Sequence, residues 1–196
     1  QEKGYKFWKI FAVIFGGCSP EYPVSLQSAY SVIEHIDREQ YEPILLGITR
    51  DGAWYRYYGP LSGLADDTWQ SHDCVRAILS PDRTRRSIVE FTTAGTKETS
   101  VDLAFPVLHG QNGEDGTVQG LIALAGIPLV GCGILSSALC IDKDRAHKLV
   151  SLEGITVPRS VVLTEYDEPM APRRAAEALG YPVFVKPVRA GSSFGI

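Results

Sequence analysis

The sequence predicts an α/β fold built on a parallel sheet, and three patterns near its start support this prediction. Residues 7–15 form an apolar, β-favouring run that ends in a Gly-Gly pair, which is typical of a buried strand entering a tight turn. Apolar residues then recur at helical spacing over residues 26–36, and residues 41–48 return to a strand-like pattern. A strand, a helix and a strand form a βαβ unit, which implies parallel strands joined by a right-handed crossover.

The rest of the chain continues this organisation with one interruption. Short β-like segments separated by turn signals predict a less regular β-rich insertion; they lie at residues 54–58, 75–79, 87–92 and 99–108. Helical spacing returns from residue 114 and ends at Gly126, a typical C-cap. Further elements are predicted as strands at 128–130, 160–164 and 181–185 and as helices at 136–153 and 173–179. A domain boundary is expected near residues 134–142, with one domain at 1–138 and part of another at 139–196.

Composition excludes several classes of protein. The chain has 196 residues, 44% of them hydrophobic, which fits a folded globular protein rather than a disordered one. Its formal net charge of -4 argues against a nucleic-acid partner, which would require a basic surface. No window approaches the ~18 apolar residues of a membrane span, so no membrane partner is expected. The four cysteines form no C-x-x-C pair, and reduced thiols in the cytoplasm are the expectation.

The first candidate site is the loop at residues 16–21 (GGCSPE). It follows the first predicted strand, and open α/β sheets bind ligands at the carboxyl ends of their strands. The loop lacks the glycine spacing of a dinucleotide-binding motif, which argues against a nicotinamide-dependent oxidoreductase. The carboxylate of Glu21 would repel a phosphate but suits an ammonium group through a charge-assisted hydrogen bond. An acid there also suits the positive end of the following helix, so both interpretations stay open.

The second candidate site is the loop at residues 108–116 (LHGQNGEDG). It follows a predicted strand and precedes a predicted helix, and its three glycines indicate an irregular backbone. Glu114 and Asp115 suit the start of a helix. His109 could donate to a developing negative charge, and the alternative is a capping loop with a structural histidine.

Two lysines and a glycine-rich loop suit a nucleotide. Lys143 lies in the predicted helix at 136–153, and Lys186 closes an apolar segment directly before the loop at 191–195 (GSSFG). Two lysines aimed at one place suit phosphates, and small residues with free N–H groups can cover a triphosphate. The sequence holds neither a Walker motif nor an H-E-x-x-H zinc motif, and it offers no metal site of its own.

Taken in this order, these segments resemble the D-alanine–D-alanine ligase family of the ATP-grasp superfamily. The resemblance runs from about residue 10 to the end of the chain and rests on the two loops, on SSA at 136–138 with Asp142-Lys143, on FVKP at 184–187 and on GSSFG at 191–195. It implies a Rossmann-like, parallel-sheet pre-ATP-grasp domain at residues 1–138. The start of a truncated central ATP-grasp domain would occupy residues 139–196.

The resemblance also implies a reaction and its residues. ATP and Mg²⁺ would serve a ligase of peptidoglycan synthesis that forms D-alanyl phosphate, which a second D-alanine, D-serine or D-lactate then attacks. The implied roles are Glu21 and Ser192 at the D-alanine ammonium, His109 beside the reacting carboxylate, and Lys143, Lys186, Gly191 and Ser193 at ATP. The family implies a cytoplasmic homodimer and a later domain with the Mg²⁺ ligands, so the 196-residue chain alone is expected to be inactive.

Two positions depart from the family's pattern. Pro23 stands where the family usually has an acid, and Ala190 stands where many housekeeping members carry one. Residues 188–195 resemble the vancomycin-resistance branch, whose members make D-alanine–D-serine or D-alanine–D-lactate. Two alternatives are another ATP-grasp carboxylate–amine ligase and a non-enzymatic domain that binds a small ligand. The second alternative would leave Lys143 and Lys186 unexplained.

Overall fold

The computed structural model describes residues 9–191 and 195–196. Its strands are β1 (Lys9–Gly16), β2 (Tyr41–Ile48), β3 (Trp54–Tyr57), β4 (Cys74–Leu79), β5 (Ser87–Thr92), β6 (Gly95–Ser100) and β7 (Leu103–Pro106). Its helices are α1 (Tyr22–His35), α2 (Ser62–Ala65), α3 (Thr117–Leu124), α4 (Ile134–Ile141), α5 (Lys143–Leu152) and α6 (Ala171–Leu179), with a short 3-10 helix at Trp69–Ser71.

All seven strands form one sheet in the order β6-β5-β4-β3-β2-β1-β7. The strand β1 pairs in parallel with β2 and β7, whereas each later pair from β2 to β6 is antiparallel. The α/β class is therefore confirmed, and its parallel part is limited to β2, β1 and β7. The insertion predicted to be irregular is instead a regular extension of the same sheet. Short connections favour this arrangement, because antiparallel neighbours need only a tight turn between them.

The core lies on both faces of the sheet, and β1 contributes to both. Ala12 and Ile14 belong to the apolar cluster beneath α3, whereas Val13 and Phe15 belong to the cluster beneath α1. This alternation follows from the two-residue period of a strand. A strand covered on both faces needs an unbroken apolar run, which is the pattern that β1 shows. The carboxyl end of β1 is therefore held rigidly between two layers.

The second half of the chain differs from the prediction in two respects. The single helix predicted at residues 136–153 is broken at Asp142, whose φ of −89° and ψ of 101° are extended. Its side chain accepts a hydrogen bond from the main-chain N–H of Arg145 at 3.0 Å and so caps α5. The segments 160–164 and 181–185 form no strands, because no neighbouring described segment pairs with them. The segment 128–130 contributes only one bridge, between Ala104 and Leu129.

The helices in the described part of the chain are short. The longest, α1, has 14 residues, and no described helix is long and apolar enough to cross a membrane. Among described residues, α5 and α6 bury no side chain completely, whereas α1 buries Tyr22, Ser25, Leu26, Ala29 and Ile33. The sheet with α1 and α3 therefore forms the rigid part of the structure that positions the candidate site.

Candidate active site

The first candidate loop begins with two glycines that no other residue could replace without strain. Gly16 and Gly17 have φ of 86° and 100°, in the left-handed region. A Cβ at Gly16 would overlap the carbonyl oxygen of Ile48, which accepts a hydrogen bond from the Gly17 N–H at 2.9 Å. The chain therefore turns sharply at the end of β1 while staying bonded to the end of β2.

A buried serine brings the two candidate loops together. The Ser25 hydroxyl accepts a hydrogen bond from the Gly16 N–H at 2.8 Å and donates to the carbonyl oxygen of Val107. Ser25 is fully buried on α1, and its two partners lie at the ends of neighbouring parallel strands. The loops at 16–21 and 108–116 consequently leave the sheet side by side.

Glu21 is the most unusual group in this region. Its residue is only 5% exposed, and its Oε1 atom has no hydrogen-bond partner among the described residues. Gly110, with φ of 69°, lies so close that a Cβ there would overlap the Glu21 carboxylate. A Cβ at Gly191 would lie 3.0 Å from Oε1. An unpaired buried charge is costly, so this cradle of glycines around a carboxylate fits a bound cation.

A cluster of aromatic residues holds the start of α1. The Tyr22 hydroxyl accepts a hydrogen bond from the Trp69 indole at 2.7 Å and donates to Asp67 at 3.2 Å. Arg50 stacks over the Tyr22 ring at 4.0 Å from its centroid and pairs with Asp67. Burial is the main cause that raises the pKa of Tyr22 above its usual value. Because Tyr22 follows Glu21 directly, this cluster limits the movement of the main chain at Glu21.

His109 lies between two polar partners. Its Nε2 atom is 3.1 Å from the Ser28 hydroxyl, and its Nδ1 atom is 3.9 Å from Oε1 of Glu114. The other carboxylate oxygen of Glu114 accepts a hydrogen bond from the Gly110 N–H at 2.8 Å. A cavity of about 520 Å³ adjoins His109 and is lined also by Cys140 of α4. His109 is therefore held at the border of a cavity large enough for a small substrate.

The loop after His109 is ordered by an aspartate. Asp115 accepts hydrogen bonds from the N–H groups of Asn112 at 2.8 Å and Thr117 at 3.0 Å. Burial acts to raise the pKa of Asp115, but hydrogen bonds from Thr117 and Asn112 outweigh it and lower that pKa. Asn112 has φ of 63°, which asparagine tolerates better than most residues.

The two lysines occupy different environments. Lys143 begins α5, and its side chain donates to the carbonyl oxygen of Ala190 while its N–H donates to Val188 at 3.1 Å. Lys186 is exposed in a segment without strand structure. Lys143 thus contacts the segment that Lys186 precedes, and Gly191 in that segment approaches Glu21. Ser192 and Ser193 lie outside the described residues.

Several contributors were not assigned a role from the sequence. Ser28 lies seven residues after Glu21, two helical turns along the same face, which was a usable signal. Asp142 belongs to a segment that carries the family resemblance, but it lies within an apparently continuous helical pattern, and its role as the N-cap of α5 was not predicted. Ser19 and Ser25 carried no periodic signal. In residues 9–191 and 195–196, no group of three His, Cys, Asp or Glu side chains could hold a metal ion.

Comparison with known proteins identifies the family of the chain. The family model described as "D-ala D-ala ligase N-terminus" matches residues 10–132, and "D-ala D-ala ligase C-terminus" matches residues 149–196. A D-alanine--D-alanine ligase of Caldicellulosiruptor bescii is 46% identical over 191 residues, covering 94% of this chain and 51% of the relative. The vancomycin/teicoplanin A-type resistance protein VanA of Enterococcus faecium is 42% identical over 185 residues, with the same two coverages.

A solved structure gives the same result at the level of the fold. The crystal structure of the VanG D-Ala:D-Ser ligase from Enterococcus faecalis matches with a TM-score of 0.84 and 51% sequence identity. The match covers 96% of this chain and 55% of that one. The chain spans about half the length of the curated relatives it matches. Because the first family model covers more than half of its residues, the chain belongs to the D-alanine–D-alanine ligase family.

Proposed function

We propose that this chain supplies the binding site for the first D-alanine in an ATP-dependent ligase that joins D-alanine to a second D-alanine, D-serine or D-lactate. The observation that carries the proposal is the Glu21 carboxylate, which is buried and faces glycines from two separate loops, and whose Oε1 atom has no hydrogen-bond partner within residues 9–191 and 195–196. A small ammonium group is the ligand that this arrangement fits, because it supplies both positive charge and hydrogen-bond donors.

The charges around the site suit a small zwitterion. With its ammonium at Glu21, D-alanine would direct its carboxylate away from that acid and past Gly110 toward His109. The imidazole of His109 can donate a hydrogen bond there, and Ser28 at 3.1 Å fixes the ring's orientation. Hydrogen-bond donors aimed at a developing charge stabilise it most when they are held in place beforehand. Ser192 is proposed as a further contact of the ammonium.

The residues proposed for ATP are Lys143, Lys186, Gly191 and Ser193. Lys143 lies at the start of α5, where its ammonium group and the positive end of the helix dipole favour an anion such as a phosphate. Its ammonium donates to the Ala190 carbonyl in this structure, so phosphate binding would exchange that partner. When bound, ATP supplies the phosphoryl group that activates the D-alanine carboxylate. Mg²⁺ belongs to the proposal, although its ligands are assigned to none of the described residues.

Three further features belong to this proposal. The chain is proposed to divide into an amino-terminal domain at residues 1–138 and part of the central ATP-grasp domain at 139–196. The protein is proposed to act in the cytoplasm as a homodimer, on precursors of peptidoglycan. Similarity to a D-alanine--D-alanine ligase and to the VanG D-Ala:D-Ser ligase supports D-alanine and D-serine as second substrates.

The test is phosphate release by the full-length gene product that carries this sequence. ATP, Mg²⁺ and D-alanine are supplied, D-serine or D-lactate is added in parallel, and products are identified by mass. We expect D-alanine-dependent release with a dipeptide or depsipeptide product. Folded protein without D-alanine dependence would contradict the proposal and favour another ATP-grasp carboxylate–amine ligase. D-alanine binding without turnover by any substrate would favour a ligand-binding domain.

A further inference from the structure

A single carboxylate joins two distant segments beside the candidate site. Asp142 lies between α4 and α5, and its side chain is only 5% exposed. One of its oxygens, Oδ2, contacts Nη1 of Arg145 at 2.5 Å and Nε of Arg189 at 3.0 Å. The two arginine side chains are 57% and 66% exposed, so they cover the carboxylate from the solvent side. Arg145 is a neighbour on α5, whereas Arg189 comes from a segment 47 residues away.

The next residue strengthens the same connection. Lys143 donates from its N–H to the Val188 carbonyl at 3.1 Å and from its side chain to the Ala190 carbonyl. The N–H groups in the first turn of a helix have no partner within the helix. The Val188 carbonyl therefore accepts from an N–H group that has no acceptor within α5. Together these contacts attach residues 188–190 to the start of α5.

The attached segment ends at the candidate site. Gly191 follows Ala190 directly and approaches the Oε1 atom of Glu21, from which a Cβ on Gly191 would lie at 3.0 Å. Movement of residues 188–190 would therefore move one wall of the Glu21 cradle. Asp142 touches neither Glu21 nor the cavity beside His109 in the described residues.

We propose that Asp142 is a positioning residue, which places Gly191 against Glu21 by holding Arg189 and thereby sets the affinity for D-alanine. The part of this inference that concerns D-alanine rests on the function proposed above. A purely local role, capping α5, would involve the Arg145 N–H but not Arg189. The positioning role therefore needs the contact with Arg189, whereas the capping role needs only the N–H of Arg145.

The variants separate these roles. Asp142→Asn keeps a side-chain oxygen that can cap α5, since Asn is as good a cap as Asp, but removes the charge that holds both arginines. Arg189→Gln removes the long-range contact alone, and Arg145→Gln removes the local side-chain contact alone. Asp144→Asn is the matched control, because Asp144 lies in the same helical turn and pairs with Lys148 at 2.7 Å, a neighbour on α5 itself.

The first measurement is amide hydrogen exchange of Lys143 in this chain, which needs no turnover. We expect Asp142→Asn and Arg189→Gln each to speed this exchange by about tenfold, the effect of losing a charge-assisted hydrogen bond. Arg145→Gln and Asp144→Asn should leave it near the wild-type rate. Unchanged exchange of the Lys143 amide in both Asp142→Asn and Arg189→Gln would overturn the proposal. If Asp142→Asn fails to fold, the exchange rate in Arg189→Gln alone decides the proposal.

The second measurement is the KM for D-alanine in the full-length gene product. We expect about a tenfold rise in KM for each of Asp142→Asn and Arg189→Gln. The double variant should show no further rise, because both substitutions remove the same contact between Asp142 and Arg189. Faster exchange without a change in KM would overturn the positioning role. Loss of D-alanine-dependent activity in the wild type would instead contradict the proposed function, while the exchange rates would still decide whether Asp142 holds the segment.

Discussion

The hydroxyl of Ser19 donates a hydrogen bond to the main-chain carbonyl of His109 at 2.7 Å and accepts one from the Glu21 N–H at 3.1 Å. One small side chain therefore links the two loops that carry the candidate acid and the candidate histidine. Ser19 and His109 are 90 positions apart in the sequence. This link fixes the spacing between a group suited to an ammonium and a group suited to a carboxylate.

Removing the Ser19 hydroxyl should loosen both loops. We expect Ser19→Ala to lower the free energy of unfolding by ~1–2 kcal/mol, because two hydrogen bonds are lost, and to weaken D-alanine binding. Urea unfolding and titration of D-alanine by NMR would measure both effects. Ser31→Ala, at an exposed position of α1, is the control and should change neither. Equal effects of the two substitutions would contradict the linking role of Ser19.

Neutralising Glu21 should weaken D-alanine binding without lowering the stability of the fold. We expect Glu21→Gln to weaken D-alanine binding at least about tenfold, because the amide cannot neutralise an ammonium. The free energy of unfolding should stay constant or rise by up to ~1 kcal/mol, because an unpaired buried charge is removed. Calorimetric binding and urea unfolding test the two halves. Glu34→Gln, at an exposed site of the same helix, is the control; a loss of stability with unchanged binding would contradict this prediction.

Gly110 can be tested against a glycine of similar backbone conformation. Gly110 and Gly154 have φ of 69° and 77°, but a Cβ at Gly154 meets nothing within 4 Å. We expect Gly154→Ala to cost ~1–2 kcal/mol of unfolding free energy for the left-handed backbone alone. Gly110→Ala should cost more and should abolish D-alanine binding, because its Cβ would overlap the Glu21 carboxylate. The prediction fails if urea unfolding gives equal costs for both.

The loop after His109 should be sensitive to acid. The pKa of Asp115 is lowered in the folded state because the hydrogen bonds from Thr117 and Asn112 outweigh its burial. Its contribution to stability is therefore present above an unfolded pKa of ~3.9 and is lost as the pH falls through the lower folded pKa. We expect the Tm of Asp115→Asn to fall less than that of the wild type between about pH 5 and pH 2.5. Asp66→Asn, at an exposed position, should leave the curve unchanged.

Cysteine labelling should report the packing of the antiparallel extension. Burial, together with the charge of Asp73, raises the pKa of Cys74 to about 11. At pH 8 only about one Cys74 side chain in a thousand is then a thiolate, the form that reacts with iodoacetamide. We expect Cys132 and Cys140, which are exposed, to be labelled well before Cys74, as followed by mass spectrometry. In urea all rates should become similar; rapid labelling of Cys74 in the folded protein would contradict its buried environment.

Local patterns predicted the first βαβ unit well. The strand β2 matches its predicted bounds, and α1 covers the predicted apolar stripe. These elements could be predicted because burial imposes a period of two or 3.6 residues on the sequence. The edge strand β6 was only partly predicted, since it is polar and mostly exposed. Its identity as a strand depends on pairing with β5 rather than on its own composition.

By itself, the sequence determined the α/β class and the candidate residues Glu21, His109 and Lys186, because glycine turns after strands and a lysine that closes an apolar segment are local signals. Only the tertiary structure decided that Glu21 lies between Gly110 and Gly191, with no partner for its Oε1 atom in the part of the chain that the structure describes. It also decided that Asp142 interrupts a helical pattern and that its carboxylate contacts Arg189. The physical reason is that pairing of polar groups across 47 or 90 residues depends on chain geometry, which leaves no periodic trace in the sequence.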